Sequence, residues 1–166
     1  MPEVLLTGAT GFIGSHTCVE VMAAGWTPII ADNLSNSSVV VLDRIALITG
    51  RRPVFVKADI RDRTALDRIF SEHAIEAVIH FAGLKAVGES VAEPLRYYDN
   101  NVCGTLTLLD AMNRHRVKRM VFSSSACFTS EFTGTMGISS AMRTFPDGLI
   151  EFPAVRAVIT SSGDIL

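Results

Sequence analysis

Cysteine, tyrosine and tryptophan are scarce in this sequence, with three, two and one among 166 residues. Cys18, Cys103 and Cys127 are odd in number and far apart. That excludes a disulfide framework and a closely spaced zinc site, so no metal is expected, and it points to free thiols in a reducing compartment. Positive charge is not in excess either. Fifteen Lys and Arg stand against 17 Asp and Glu, for a net charge of −2, so nucleic acid is not an expected partner. No apolar run reaches the roughly 18 residues of a membrane-spanning helix, so no membrane partner is expected. The start, Met1-Pro2-Glu3, lacks the basic opening of a secretory signal. Together these absences make a cytoplasmic location the expectation.

Lysine is missing beyond Lys118, and only six charged residues follow Arg119: Glu131, Arg143, Asp147, Glu151, Arg156 and Asp164. The chain therefore reads as two kinds of sequence, 1–126 and 127–166. What is present in the first is ample apolar residue: 48% of the whole chain is hydrophobic and 19% charged, which excludes a disordered polymer. At this length a chain buries roughly 70% of its unfolded surface and needs no staple.

Strand and helix signals alternate through residues 1–126. Val4-Leu5-Leu6 runs into a glycine-rich turn. Phe12 to Ala24 reads as a helix with Ile13, Thr17, Val21 and Ala24 on one face, ending at Gly25. Pro28 to Ala31 is a second strand. Val39 to Thr49 suits a helix ending at Gly50, and Val54-Phe55-Val56 a third strand. Asp62 can cap a helix whose Leu66, Ile69, Phe70 and His73 share one side. Ala77-Val78-Ile79 is a fourth strand. A helix starting at Glu93-Pro94 would carry Val102, Leu106, Leu109 and Met112 inward, and Met120-Val121-Phe122 is a fifth strand. Such alternation predicts an α/β fold with a parallel sheet covered on both faces, the doubly wound Rossmann type. Beyond Cys127 the pattern dissolves into a turn at Phe145-Pro146-Asp147-Gly148 and short strand candidates at Leu149-Ile150 and Val155 to Thr160.

The strongest chemical signal is Thr7-Gly8-Ala9-Thr10-Gly11-Phe12-Ile13-Gly14, set between a strand and a helix. Gly8 permits a tight turn, Gly11 a close backbone approach to a pyrophosphate, and Gly14 close packing of helix on strand. The helix N-terminus then offers N–H groups and partial positive charge to the phosphates. Asp32 ends the second strand, where a carboxylate accepts from both hydroxyls of an adenosine ribose and repels a 2′-phosphate. It favours NAD over NADP; the alternative is a turn-starting Asp. Asn33, Asn36 and Ser37 follow as small polar donors. Asp59 and Ile60 border an adenine pocket in such a fold. His80-Phe81-Ala82-Gly83-Leu84-Lys85 ends the fourth strand, with Ala82 and Gly83 allowing close passage and Lys85 able to neutralise a phosphate. Taken alone, His80 reads as a hydrogen-bonded core histidine and Lys85 as a solvated one.

These residues resemble the UDP-glucose (UDP-galactose) 4-epimerase family of the extended short-chain dehydrogenases/reductases. The matching stretches are Thr7 to Cys18, Asp32 to Ser37, Ala74 to Ser90 (AIEAVIHFAGLKAVGES), Tyr97 to Gly104 (YYDNNVCG) and Phe122 to Ala126 (FSSSA). The resemblance implies an NAD-binding Rossmann domain over 1–126. Gly8, Gly11, Phe12, Ile13 and Gly14 would line the pyrophosphate. Asp32, Asn33, Asn36 and Ser37 would take the ribose and a nearby phosphate, and Asp59 and Ile60 the adenine. Phe81, Ala82, Gly83 and Lys85 would pass the nicotinamide side, with Asn100 behind it and Ser123 beside it. Ser125 matches the family's catalytic serine. The implied reaction is hydride transfer from a UDP-sugar to NAD and its return, and the implied assembly is a homodimer.

The family's Tyr-x-x-x-Lys pair is absent. Its place falls near Ile150 and Ala154, and the only tyrosines are Tyr97 and Tyr98 of the YYDNN stretch. The chain is also expected to lack the second, sugar-binding domain of the family. The expectation is a truncated, inactive chain with adenosine-side binding and an open fifth-strand edge, its residues 127–166 arising from a reading-frame change or alternative splice. The alternatives are a non-catalytic NAD-binding module, a decayed gene product, or another dehydrogenase/reductase of the same type.

Overall fold

The computed structural model describes residues 1–123. Ser124, Ser125 and the turn and strand candidates after Cys127 lie outside the described residues. Five strands form one parallel sheet in the order β3-β2-β1-β4-β5. They are β1 (Glu3–Thr7), β2 (Thr27–Asp32), β3 (Val54–Lys57), β4 (Ile75–His80) and β5 (Met120–Phe122). The helices between them are α1 (Phe12–Ala23), α2 (Val40–Thr49), α3 (Arg63–Glu72), α4 (Val87–Ala92), α5 (Pro94–Tyr98) and α6 (Gly104–Arg114). A π-helical turn, Asp99–Cys103, joins the last two. This is the doubly wound α/β arrangement expected from the alternation.

Period-two alternation sends neighbouring side chains of the buried strands to opposite faces. Val4, Leu6, Ile30, Ala77 and Ile79 pack with Cys18, Val21 and Met22 of α1 and Leu42 and Ile45 of α2. Leu5, Ile29, Ala31 and Val78 pack on the other face with Leu66, Ile69 and Phe70 of α3 and Leu108, Ala111 and Met112 of α6. The Cys18 thiol is buried in the first cluster, where desolvation pushes its pKa up to about 12, so it behaves as an inert apolar group.

Helix ends follow the sequence signals. Gly25 (φ +85°) closes α1, with Gly25 N–H donating to Met22 O and Trp26 N–H to Val21 O, a Schellman pair. Gly50 closes α2 in the same left-handed conformation. The Asp62 carboxylate accepts from Ala65 N–H at 3.0 Å and starts α3. Two helix faces differ from expectation. On α1 the buried residues are Gly14, Thr17, Cys18, Val21 and Met22, while Ile13 and the C-cap residue Ala24 are exposed. Ile13 sits in the first turn, which faces the cavity described below rather than the sheet. On α6 the core face is Gly104, Leu108, Ala111 and Met112, and Leu106, like Val102 of the π-helical turn before it, points outward. This helix is apolar on two sides at the same spacing, so periodicity alone cannot say which side goes in.

β5 pairs with β4 through Val78–Met120, Ile79–Val121 and His80–Phe122, and among the described residues nothing pairs its other side. Asp62→Ala should lower stability by about 1 kcal/mol, because it removes the side-chain acceptor that caps Ala65 N–H. Urea denaturation followed by far-UV circular dichroism checks this; an unchanged midpoint would show that α3 does not depend on its cap.

Candidate functional site

The strand order reverses between β1 and β4, and a crevice opens there at the carboxyl ends of the strands. A cavity of about 320 Å³ occupies it, within the range of small-molecule sites. Its floor is the turn between β1 and α1. Gly8 has φ +71°, and a Cβ there would lie 2.6 Å from Ala82 N and 2.7 Å from Ala82 Cα. Side chains are therefore excluded both by backbone conformation and by the loop after β4. A Cβ on Gly14 would lie 2.6 Å from Ala9 Cα, so helix and turn touch backbone to backbone. Gly11 caps α1, and only Gly8 O, at 3.3 Å, would meet a Cβ there. Phe12, Ile13 and Gly14 supply first-turn N–H groups, which a helix cannot pair internally, and all three residues line the cavity.

Asp32 faces this turn. It is 7% exposed, its Oδ2 accepts from Thr10 N–H at 3.1 Å, and its Oδ1 accepts from Leu34 N–H at 2.9 Å and the Ser37 hydroxyl at 3.3 Å. Thr10 and Ser37 hydroxyls meet at 2.7 Å. The carboxylate is thus fixed in direction, with lone-pair capacity left on Oδ2. Asn33, Ser35 and Asn36 complete that wall. Ser37 does not line the cavity; it acts through Asp32 and Thr10.

Ala58 and Ile60 close the far end. Gly104 makes room for Ile60, whose Cδ1 lies 2.6 Å from the place a Cβ would occupy. Asp59 is turned aside. Its carboxylate accepts from Arg61 Nε at 2.9 Å, Arg61 Nη2 at 2.8 Å and Asn33 Nδ2 at 3.0 Å. The Arg61 hydrogen bonds hold that carboxyl well below the usual range. Arg61 also donates to Asp99 Oδ2 at 2.6 Å, tying the β3 loop to the π-helical turn.

Phe81, Ala82, Gly83, Leu84 and Lys85 form the opposite wall, with Asn100 behind them. They also bound a second cavity of about 110 Å³ that is lined by His80, Asn101, Thr105, Phe122 and Ser123. Lys85 is exposed, the partial desolvation of its ammonium lowers its pKa, and no carboxylate among the described residues pairs with it. Asn101 holds this wall: its Oδ1 accepts from Leu84 N–H at 2.8 Å and its Nδ2 donates to Leu84 O at 2.9 Å. Asn101 is the second asparagine of the YYDNN stretch, next to the expected Asn100. Ala31, Ser35, Ala58, Leu84 and Ala86 are further lining residues that carry no chemical signal in sequence. Ser125 lies outside the described residues.

His80 is 2% exposed and not a surface group. Burial, with the Lys85 charge adding to it, lowers its pKa from 6.5 to about 4. Between those values the unfolded chain binds more protons than the folded one, so stability falls as pH drops through that window. The urea midpoint of the wild type should therefore decline between pH 6.5 and 4 more steeply than that of His80→Asn. Equal slopes would contradict a neutral, buried imidazole.

Comparison with known proteins places this geometry. The model of the NAD dependent epimerase/dehydratase family matches residues 4–146. A UDP-glucose 4-epimerase of Yersinia pestis is 62% identical over 123 residues, which are 74% of this chain and 36% of that protein. A UDP-glucose 4-epimerase of Klebsiella pneumoniae is 55% identical over 124 residues, covering 75% of this chain and 89% of the relative. The crystal structure of UDP-glucose 4-epimerase from Bifidobacterium longum in complex with NAD+ and UDP superposes with a TM-score of 0.73 at 52% identity, over 75% of this chain and 37% of that one. The chain thus spans little more than a third of the Yersinia and Bifidobacterium proteins. A glycine turn under a helix N-terminus, a buried acid at the end of β2 and a shared sequence of this extent agree: the chain belongs to the NAD dependent epimerase/dehydratase family.

Proposed function

We propose that this chain binds NAD and forms the nucleotide-binding part of a UDP-glucose 4-epimerase. The observation that carries the reading is the glycine turn facing Asp32 across one cavity, with a Cβ excluded at Gly8 and Gly14. The first-turn N–H groups of Phe12, Ile13 and Gly14 receive the pyrophosphate. Asp32 accepts from the adenosine ribose, and its charge disfavours a 2′-phosphate. Ile60 and Ala58 lie against adenine. Phe81, Ala82, Gly83, Lys85 and Asn100 take the nicotinamide side, where the Lys85 ammonium complements a phosphate or a UDP-sugar. When bound, NAD would supply the redox chemistry of reversible hydride transfer to and from the hexose.

No tyrosine of this chain serves as the proton acceptor. Tyr97 Oη accepts from Ala86 N–H at 3.1 Å and lies 2.7 Å from Glu89 Oε2; burial, then Glu89, raises its pKa, the reverse of an activated phenol. Tyr98 is exposed and lines neither cavity. We infer that these 166 residues do not interconvert UDP-glucose and UDP-galactose unaided. We propose a boundary of the nucleotide-binding unit near residue 126, where the alternation of strands and helices ends, although the family model runs on to 146.

Calorimetry on the purified chain tests the cofactor reading. NAD should bind, NADP about tenfold or more weakly, and Asp32→Ala should weaken NAD by about tenfold while narrowing that preference. No heat with millimolar NAD would overturn the reading. In a coupled assay, turnover of UDP-galactose above the blank would overturn the inferred lack of activity.

We further propose a homodimer. Leu95, Tyr98, Val102 and Leu106 form an exposed stripe at spacings of three and four residues, and among the described residues nothing covers it. A second copy of the same stripe is its complement in a two-fold pairing. Sedimentation should give a dimer that Leu95→Glu converts to monomer; a monomeric wild type at high micromolar concentration rules the pairing out.

A further inference from the structure

We propose that His80 is a positioning residue of the cofactor site, joining the pyrophosphate-side turn to the nicotinamide-side wall through the hydroxyls of Thr7 and Thr105. The proposal rests on the NAD reading above and adds to it a coupling between the two halves of the cavity.

His80 ends β4, and its ring uses both nitrogens. Nδ1 lies 2.5 Å from Thr7 Oγ1 and Nε2 lies 3.0 Å from Thr105 Oγ1. The proton order follows from the far end. Thr105 has one hydroxyl proton, and it is given to Asn101 O at 2.6 Å. Its oxygen can then only accept, so His80 carries its proton on Nε2. Nδ1 of the neutral ring is a lone pair, so the Thr7 hydroxyl donates to it. The series runs one way: Thr7 to His80, His80 to Thr105, Thr105 to the Asn101 carbonyl. Burial keeps the ring neutral, and Lys85 opposes its protonation.

The two ends of this series are the two ends of the site. Thr7 is fully buried and directly precedes Gly8, whose backbone lies against Ala82. Asn101 grips Leu84 through both atoms of its carboxamide, and Leu84 and Lys85 face both cavities. A ring tethered at both nitrogens has one orientation, and so do the two hydroxyls it engages. An apolar side chain of similar size would fill the space but leave a buried hydroxyl at Thr7 without a partner, which is costly. Packing alone therefore does not account for an imidazole at this position. A merely structural histidine would affect every nucleotide alike; a positioning one acts on the ligand that touches both walls.

The test uses the full chain and two probes, NAD, which reaches both walls, and ADP, which lacks the nicotinamide side. Thr105→Val removes the acceptor of Nε2–H and the donor to Asn101 at nearly constant volume. It should weaken NAD about tenfold while ADP changes less than about twofold, and Thr105→Ser should restore NAD to within about twofold of the wild type. Equal losses for both probes, or no rescue by serine, would overturn the proposal. The nucleotide-free wild type gives a second readout should the valine variant not fold. Its imidazole ¹⁵N spectrum should show His80 neutral and protonated on Nε2; a ring protonated on Nδ1, or on both nitrogens near neutral pH, overturns the relay. A wild type that binds neither NAD nor ADP refutes the cofactor reading instead, and the spectrum alone then decides the relay.

Discussion

The contact on which the rest depends is one of backbone against backbone. Gly8 turns the chain out of β1 at positive φ, and the missing Cβ lets the loop after β4 pass directly over it. Two neighbouring strands can then leave the sheet in different directions without a void between them. That close passage sets the floor of the cavity and brings α1, N-terminus first, to its edge. Gly14 repeats the arrangement one helical turn later against Ala9. A side chain at either glycine would force the loop or the helix away, and the crevice at the reversal of strand order would lose its shape.

Around that contact the polar groups form a connected set. Asp32, Thr10 and Ser37 link the end of β2 to the glycine turn. Asn33, Asp59, Arg61 and Asp99 link the β2 and β3 loops to the π-helical turn. Exposed ion pairs of this kind contribute little stability singly. Their value here is geometric: loops from four strands are held in one register by short charged and amide contacts.

Much of this was legible in the sequence because the signals are local. The strand–glycine turn–helix order, the acid at the end of β2, the caps at Asp62, Gly25 and Gly50 and the five strands each depend on residues close in the chain. Long-range choices were less legible. The segment from the π-helical turn through α6 carries apolar residues on two faces, and Val102 and Leu106 compete with Leu108 and Met112 until the sheet is in place. Ile13 fits the α1 periodicity yet faces the cavity, since the first turn extends beyond the sheet. Asp59 was expected to meet a base, but Arg61, two residues on, occupies its carboxylate. His80 was legible as a hydrogen-bonded core residue, whereas its partners are 73 and 25 positions away and could not be named.

The grip of Asn101 on Leu84 has a further consequence. A carboxamide presents a donor and an acceptor side by side, much as a peptide group in a ladder does. Leu84 is held as if by a neighbouring strand, although none of the described strands runs there. The loop that carries Lys85 thereby acquires the rigidity of a sheet while keeping the irregular path that a curved ligand wall requires. Such a segment has little conformational freedom left to surrender on association, so more of each new contact is expressed as affinity.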